Sequence, residues 1–324
     1  MNDIRFDGRV AIVTGAGSGL GRDYALDLAA RGAAVVVNDL GTDPLGNRLS
    51  GVTARSPADR VVEQITQAGG RAVACYESCA TRAGGTAIVD AAMEAFGRVD
   101  ILIHNAGFLK NAPFEDLTDA QIDAILGVHL MAGFYVGQPA YRVMKQQGYG
   151  RIVLVSSASG VFGCEWQANY AAAKTGLVGL VNVLALEGAK HGILANGLLP
   201  CGASRLGQGE NEWPPYFRAQ APQGFEVIGP AIHNDFVVPM VTWLASERCT
   251  TTRALYSATG GRFARVFIGE VKGWLADQQH PPRAEDIERH LAEIDDTRAF
   301  DIPASMFDEF VPIIEATRAA SGKP

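Results

Sequence analysis

The chain has 324 residues, a formal net charge of -7 and 37 glycines, a glycine share well above the usual value of about 7%. Its length fits one large α/β domain or two ordinary ones, and its 15 prolines exclude a collagen-like or low-complexity chain. The acidic balance argues against a general nucleic-acid binder, which carries a basic surface.

Predicted strands alternate with predicted helices along most of the chain. Apolar runs and helical spacing predict strands at residues 10–13, 33–37, 71–76, 101–104, 152–155, 194–199 and 254–257, and helices at residues 20–29, 61–68, 86–96, 118–147 and 168–190. Because strand–helix–strand units impose a parallel sheet with helices on both faces, we predict one doubly wound α/β domain over residues 1–262.

Two stretches of the chain are additions to a minimal doubly wound domain. Residues 41–58 form a long polar connection after the second predicted strand, and such a length indicates a functional or mobile loop. Residues 263–324 contain apolar side chains at helical spacing near Ile287 and Ile313. We expect a C-terminal helical extension that packs on the same domain or on a partner subunit.

The glycine-rich stretch 14–21 (TGAGSGLG) lies between the first predicted strand and the first predicted helix. Glycines let backbone N–H groups approach a diphosphate, and the helix N-terminus adds a favourable dipole. This context predicts a dinucleotide site. Its candidate binding residues are Gly15, Ser18, Gly19, Leu20 and Gly21.

Asp39 follows the second predicted strand, about twenty residues after the glycine turn. A carboxylate at this position accepts hydrogen bonds from the adenosine ribose and repels a 2′-phosphate, which favours NAD over NADP. The alternative interpretation of Asp39 is a solvated turn residue. Arg22 in the turn is interpreted as a helix surface residue.

Tyr170 and Lys174 are four residues apart, which places them on one face of a predicted helix. Ser157 lies just past a predicted strand, at the edge of the sheet where ligands bind in doubly wound folds. Oxidation of an alcohol needs a base for the hydroxyl proton, and a nearby lysine cation favours the phenolate of a tyrosine. Ser157 would hold the substrate oxygen. The Tyr-x-x-x-Lys spacing alone also arises by chance in many helices.

Compartment and partners are predicted from composition. Five cysteines without a paired framework favour a reducing compartment, and residues 1–8 contain no signal core. No run approaches the roughly 18 apolar residues of a membrane span, and residues 321–324 do not form a peroxisomal tripeptide. We therefore predict a cytoplasmic protein with no metal site and with neither nucleic acid nor membrane as partner.

Together these motifs resemble the short-chain dehydrogenase/reductase family over roughly residues 7–260. The matching residues are the glycine turn, Asn105, Ala106, Gly107, Ser157, Tyr170, Lys174 and Pro200. The resemblance implies a Rossmann-like fold and NAD(P)-dependent hydride transfer. It also implies Tyr170 as acid and base, Lys174 on the nicotinamide ribose, and Asn105 beside the cofactor. The two long helices imply a homodimer or homotetramer.

A closer similarity is to the (3R)-hydroxyacyl-CoA dehydrogenase domain of peroxisomal multifunctional enzymes, which are also described as 17β-hydroxysteroid dehydrogenases. It is carried by residues 38–41 (NDLG), 128–130 (VHL), 149–152 (YGRI), 156–160 (SSASG) and 167–170 (QANY). It implies a 3-hydroxyacyl-CoA as substrate, with a steroid alcohol as the alternative.

Three positions depart from the usual family pattern. His129 stands where many members have an asparagine of the proton relay. It is interpreted either as part of a relay or as a buried structural histidine. Glu77 replaces an aspartate near the adenine and is a candidate cofactor contact. Ser204 replaces a threonine near the carboxamide, with a loop cap as the alternative.

The substrate side is predicted only in outline. Aromatic residues and cysteines in loops after the strands fit an apolar substrate or a subunit contact, namely Phe162, Cys164, Trp166, Cys201, Trp213, Tyr216 and Phe217. Arginines that could pair with CoA phosphates are Arg205, Arg218, Arg262 and Arg265, each of which is otherwise a surface residue.

The sequence therefore predicts an NAD-dependent enzyme that oxidises a secondary alcohol to a ketone. A competing interpretation is a cofactor-binding sensor or scaffold without turnover, which the intact set of Ser157, Tyr170 and Lys174 disfavours. A hydrolase is excluded because the chain has no Gly-x-Ser-x-Gly elbow.

Overall fold

The computed structural model describes residues 3–43, 45–47, 56–203 and 212–321. The chain divides into two compact units, Met1–Arg265 and Val266–Pro324. Whether the second unit packs on the first or on a partner subunit stays a prediction.

The first unit is built on one eight-stranded sheet with the order β3-β2-β1-β4-β5-β6-β7-β8. Its strands are β1 Val10–Thr14, β2 Ala34–Asn38, β3 Arg71–Cys75, β4 Ile101–His104, β5 Gly150–Val155, β6 Ile193–Cys201, β7 Leu255–Thr259 and β8 Arg262–Val266. The pairs from β3 through β7 are all parallel. The predicted doubly wound sheet is therefore confirmed.

Helices cover both faces of the sheet, so both faces are buried. Successive side chains of a strand point to opposite faces, so each strand contributes to both apolar clusters. In β1, Ala11 and Val13 join one apolar cluster, while Val10 and Ile12 join the other. Since each face needs its own helical cover, the strands read as continuous apolar runs, as in other parallel sheets.

The helices of the first unit are α1 Gly19–Ala30, α2 Pro57–Gln67, α3 Arg82–Phe96, α4 Asp119–Leu126, α5 Ala132–Tyr135, α6 Gly137–Gln147, α7 Ala158–Phe162, α8 Ala168–Gly188, α9 Pro215–Ile228 and α10 Val238–Ala245. The five predicted helical stretches begin within four residues of their predicted starts, and three further helices, α7, α9 and α10, were not predicted. Helix α2 starts four residues before the predicted stretch, because Ser56 and Asp59 form a reciprocal capping box around its first turn.

The structure differs from the prediction for residues 118–147 in one local feature. This stretch is not a uniform α-helix, because Gly127–Met131 form a π-helical turn between α4 and α5. Such turns are rare and often lie at functional sites. His129 lies in this turn.

Strand β8 was not predicted from the apolar pattern. It follows β7 through Gly260 and Gly261, which both have positive φ, as tight two-residue hairpin turns require. Its residues are exposed or half-buried, so it carries no continuous apolar run.

Two helical stretches, Asp119–Gln147 and Ala168–His191, are long and apolar enough to cross a membrane by length and composition alone. In this fold both contribute side chains to the apolar cluster on one face of the sheet, among them Ala140, Met144, Leu177 and Val181. In each stretch, 33% of the most apolar window is buried inside the structure.

The second unit contains two helices, α11 Ala284–Ile294 and α12 Val311–Ser321, which agree with the predicted helical extension. It also contains a small antiparallel pair, β9 Glu270–Val271 and β10 Phe300–Asp301. Within this unit Trp274 stacks on His290 with ring centroids 4.0 Å apart.

Candidate active site

A cavity of about 830 Å³ opens at the carboxyl ends of the parallel strands. Its walls include most of the residues predicted from the sequence, namely Gly15, Ser18, Gly19, Leu20, Asp39, Glu77, Asn105, Ala106, Gly107, His129, Ser157, Tyr170, Lys174 and Pro200. Gly21 packs behind this wall, and Ser204 lies outside the described residues. One cavity therefore joins the glycine turn to the predicted catalytic residues.

The glycine turn approaches the strand β4 loop so closely that side chains are excluded. A Cβ built on Gly15, whose φ is +66°, would lie 2.7 Å from the Cα of Ala106. A Cβ on Gly21 would lie 2.2 Å from the carbonyl oxygen of Gly15. The glycines thus permit a backbone cradle that no larger residue would allow.

The first turn of α1 is free to receive an anion. Ser18 occupies the N-cap without a side-chain cap hydrogen bond, and no acidic residue lies in the first turn. Unpaired N–H groups and the helix dipole at such a terminus favour negative charge. The described residues therefore fit a dinucleotide diphosphate.

Asp39 lies in the cavity wall beside the glycine turn and is buried, with 8% of its surface exposed. Its Oδ2 accepts a hydrogen bond from the Gly17 backbone N–H at 2.9 Å, and its Oδ1 accepts one from Gly41 at 2.8 Å. Asp43 and Glu77 also line the cavity. The structure thus places Asp39 in the cavity wall and not in a solvated turn.

Asn105 connects the glycine turn to the end of β4. Its amide donates to the carbonyl oxygens of Thr14 at 3.3 Å and Gly15 at 3.4 Å. The backbone N–H groups of Asn105 and Ala106 donate to the hydroxyl oxygen of Thr14. This network fixes the turn relative to the neighbouring strand.

The three predicted catalytic side chains converge from two elements. Ser157 is the N-cap of α7, directly after β5, and Tyr170 and Lys174 lie one turn apart on α8. Tyr170 and Lys174 are buried, and the Lys174 Nζ donates to the carbonyl oxygen of Val155 at 2.6 Å. The Lys174 Nζ lies 5.5 Å from the centre of the Tyr170 ring.

Burial dominates the electrostatics of this group. It raises the pKa of Tyr170 to about 12, an effect opposed by a hydrogen bond with Ser157. It also lowers the pKa of Lys174 to about 7. The expected lowering of the phenol pKa by the lysine cation is therefore outweighed by burial in this structure.

His129 is buried and neutral. Burial, followed by the charge of Lys174, lowers its pKa well below the ordinary value. Its Nε2 lies 2.8 Å from the carbonyl oxygen of Phe108 and 3.2 Å from the backbone nitrogen of the same residue. Among the described residues its Nδ1 has no partner. The ring stands edge-on to that of Tyr170, with centroids 5.0 Å apart.

The substrate side of the cavity is mainly apolar. Phe108, Leu109, Cys164, Cys201, Trp213 and Phe217 line it, whereas Phe162, Trp166 and Tyr216 do not. Trp213 stacks on Phe217 at 4.3 Å. Among the arginines considered for CoA phosphates, Arg218 lines the cavity, Arg262 and Arg265 do not, and Arg205 lies outside the described residues.

Several residues of the site were not identified from the sequence. Phe108 and Leu109 follow the motif at Asn105 and form the apolar floor beneath Tyr170, and their position after the strand could have indicated this. His104 and Gln167 carry no local signal, because their contacts come from distant elements.

Comparison with known proteins identifies the family. The sequence pattern of the short chain dehydrogenases matches residues 9–208. A short-chain type dehydrogenase/reductase of Mycobacterium tuberculosis is 43% identical over 288 residues, covering 89% of this chain and 94% of that protein. The chain belongs to the short chain dehydrogenase family, whose members bind NAD(P), and it is a dehydrogenase.

Further relatives are longer than this chain. Peroxisomal multifunctional enzyme type 2 of Mus musculus is 40% identical over 286 residues, which are 88% of this chain but 36% of that protein. The peroxisomal hydratase-dehydrogenase-epimerase of Saccharomyces cerevisiae is 41% identical over 82% of this chain and 27% of its own length. The full-length multifunctional enzyme type 2 of Drosophila melanogaster superposes with a TM-score of 0.77 at 30% identity, over 98% of this chain and 50% of that one.

Replacing Tyr170 with phenylalanine should remove turnover and leave dinucleotide binding intact, because the ring is kept and only the proton-transferring hydroxyl is lost. We expect kcat to fall by roughly 10²–10⁴-fold, the usual share of general acid–base catalysis. Steady-state kinetics and NADH fluorescence titration measure the two effects. Tyr24→Phe is the matched control, since the Tyr24 hydroxyl is buried in α1, away from the cavity wall. Undiminished turnover in the Tyr170 variant would exclude it as the acid and base.

The buried Lys174 makes stability depend on pH. Its pKa is about 7 in the folded protein against 10.5 ordinarily, so between these values the unfolded chain binds more protons and stability rises with pH. Urea unfolding should therefore show that the wild type gains stability relative to Lys174→Met as pH rises from neutral toward 10.5. A stability difference that does not vary with pH would contradict the lowered pKa.

Proposed function

We propose that this short chain dehydrogenase oxidises the hydroxyl group of a 3-hydroxyacyl-CoA to a ketone with NAD as the hydride acceptor. The observation that carries the proposal is the shared cavity, in which Ser157, Tyr170 and Lys174 meet the glycine turn and Asp39. These residues belong to four separate chain segments, and such convergence is typical of a binding and catalytic site.

Each catalytic side chain has a role that its position supports. Ser157, hydrogen-bonded to Tyr170, would hold the substrate oxygen, and Tyr170 would take the hydroxyl proton. Because burial raises the pKa of Tyr170 to about 12, the phenolate must be stabilised by positive charge in the working complex. Lys174, which now donates to Val155, is placed to supply that charge and to hold the nicotinamide ribose. NAD, when bound, would accept the hydride.

The preference for NAD is supported by charge. Asp39, Asp43 and Glu77 gather three carboxylates at the predicted adenosine end of the cavity, where a 2′-phosphate would be repelled. Arg22, the basic residue in the turn, pairs instead with Asp23 at 2.7 Å and does not line the cavity.

The acyl-CoA substrate is supported by the opposite side of the cavity. The apolar walls suit an acyl chain, and Arg218 adds a cation beside the Trp213–Phe217 stack. A phosphate-bearing substrate gains from such a cation because the chain as a whole carries a charge of -7. The name of one relative, hydratase-dehydrogenase-epimerase, includes a dehydrogenase activity, which agrees with the oxidation of an alcohol.

A 17β-hydroxysteroid is the second candidate, because the same apolar walls, with Trp213 stacked on Phe217, suit a rigid ring system. A steroid carries no phosphate, so it would gain nothing from Arg218. The sensor without turnover is the third interpretation and requires that no alcohol is oxidised.

We also propose a homodimer or homotetramer in the cytoplasm. Phe134 on α5 and Val183 and Leu186 on α8 are large apolar side chains that stay exposed in the single chain. Exposed apolar patches on long helices favour self-association. The cytoplasmic location rests on the odd number of cysteines, which favours a reducing compartment.

Replacing Asp39 with asparagine should shift the cofactor preference toward NADP, because the carboxylate charge that repels a 2′-phosphate is lost. Hydrogen bonds to charged groups contribute about 1.5–3 kcal/mol, so NAD affinity should fall roughly ten- to hundredfold. The ratio of kcat/KM for NAD and NADP is the measurement. Asp90→Asn is the matched control, since Asp90 is an exposed carboxylate on α3 that does not line the cavity. An unchanged ratio in the Asp39 variant would contradict its role.

The substrate class is tested with a panel of alcohols and with one substitution, Arg218→Gln. We expect NADH formation with 3-hydroxybutyryl-CoA and its longer homologues and none with estradiol; the reverse result would favour the steroid. Arg218→Gln should raise KM for the CoA ester about two- to fivefold, as an exposed charge pair would. It should leave the pantetheine thioester, which lacks the nucleotide phosphates, unaffected. The control is Arg142→Gln on α6, and equal effects on both thioesters would exclude phosphate recognition by Arg218.

A further inference from the structure

His104, the last residue of β4, is buried and does not line the cavity. Both of its ring nitrogens are engaged. Its Nδ1 lies 3.1 Å from the hydroxyl of Thr14, at the end of β1. Its Nε2 lies 3.0 Å from the backbone carbonyl oxygen of His129, in the π-helical turn. The imidazole therefore links the strand before the glycine turn to the segment beside Tyr170.

The direction of these hydrogen bonds follows from the partners of Thr14. Its hydroxyl oxygen accepts N–H groups from Asn105 at 3.0 Å and Ala106 at 3.1 Å, which uses both lone pairs. The hydroxyl proton must then be donated to the Nδ1 of His104. A neutral imidazole with an acceptor at Nδ1 carries its proton on Nε2, which donates to the His129 carbonyl.

The neutral form of His104 is stable in this environment. Burial, followed by the nearby charge of Lys174, lowers its pKa to about 4. The donors and acceptors of this hydrogen-bond chain therefore stay the same at any pH near neutrality. It runs from the backbone of Asn105 and Ala106 through Thr14 and His104 to the π-helical turn.

On its other side the same turn contacts the catalytic tyrosine. The His129 ring is held by Phe108 at 2.8 Å and stands edge-on to Tyr170. The ring also packs closely against Gly107, where an added Cβ would lie 2.2 Å from its Cε1. A shift of the His129 backbone would therefore be transmitted to Tyr170.

We propose that His104 is a positioning residue, which holds the carbonyl of His129 and thereby fixes Tyr170 relative to the glycine turn. His104 touches neither substrate nor cofactor and acts through His129. The proposal rests on the proposed function in one respect, the role of Tyr170 as the acid and base.

Two substitutions at His104 separate positioning from a general loss of stability. His104→Leu removes both hydrogen bonds, and we expect kcat to fall roughly 10- to 100-fold, since a displacement of about 1 Å can cost 10² in rate. KM and NADH affinity should change less than about threefold, because the binding residues are retained. His104→Gln should recover most of the rate, since its amide offers an acceptor to Thr14 and a donor to His129.

Gln147→Leu is the matched control for the loss of two hydrogen bonds from one side chain, here in a part-buried position. The Gln147 amide donates to the carbonyl of Val99 and accepts from its N–H, near the other end of β4. This variant should lose thermal stability and keep its kcat. A His104→Leu variant with unchanged kcat, or a folded His104→Gln variant no better than His104→Leu, would overturn the proposal.

A spectroscopic test does not depend on turnover. In protein labelled with ¹⁵N-histidine, His104 should appear as the neutral Nε2–H form, and Thr14→Val should shift its Nδ1 signal while Thr14→Ser preserves it. An Nδ1–H form would overturn the proposal. If the wild type oxidises no alcohol in the panel but His104 has the expected tautomer, the proposed function fails while the assigned hydrogen-bond chain stands.

Discussion

The parallel pairing of β1 with β4 is the constraint on which the site depends. Its register sets Thr14 opposite His104, so both strands end at the same edge of the sheet. The glycine turn and the loop after β4 therefore start side by side. Asn105 closes the gap by donating to Thr14 and Gly15, which fixes the cradle before any ligand enters.

Burial gives this site an unusual charge state. Tyr170, Lys174 and two histidines are all shielded from water, so each is driven toward its neutral form. The Asp39 carboxylate, in contrast, accepts hydrogen bonds from the backbone N–H groups of Gly17 and Gly41. The cavity therefore combines an acidic part around Asp39 with a part in which burial favours the neutral forms of Tyr170 and Lys174.

The apolar side of the cavity draws partly on elements outside the parallel core. Helix α9 and the segment before it provide Trp213, Phe217 and Arg218, whereas the strands provide the cofactor cradle and Ser157. This division lets specificity change without altering the catalytic geometry. The second unit, with α11 and α12, has no counterpart in a minimal sheet and presents many apolar side chains at its surface.

The sequence alone determined the sheet, the glycine turn, Asp39 and the placement of Ser157, Tyr170 and Lys174, because each depends on local patterns. Apolar runs mark buried strands, and the spacing of Tyr170 and Lys174 marks one helix face. Only the tertiary structure decided which arginine reaches the cavity, where the π-helical turn interrupts the long helix, and that β8 completes the sheet. It also decided the partners of His104, which lie 90 and 25 residues away along the chain. Contacts of this kind follow from the strand order and register, and no local pattern specifies them.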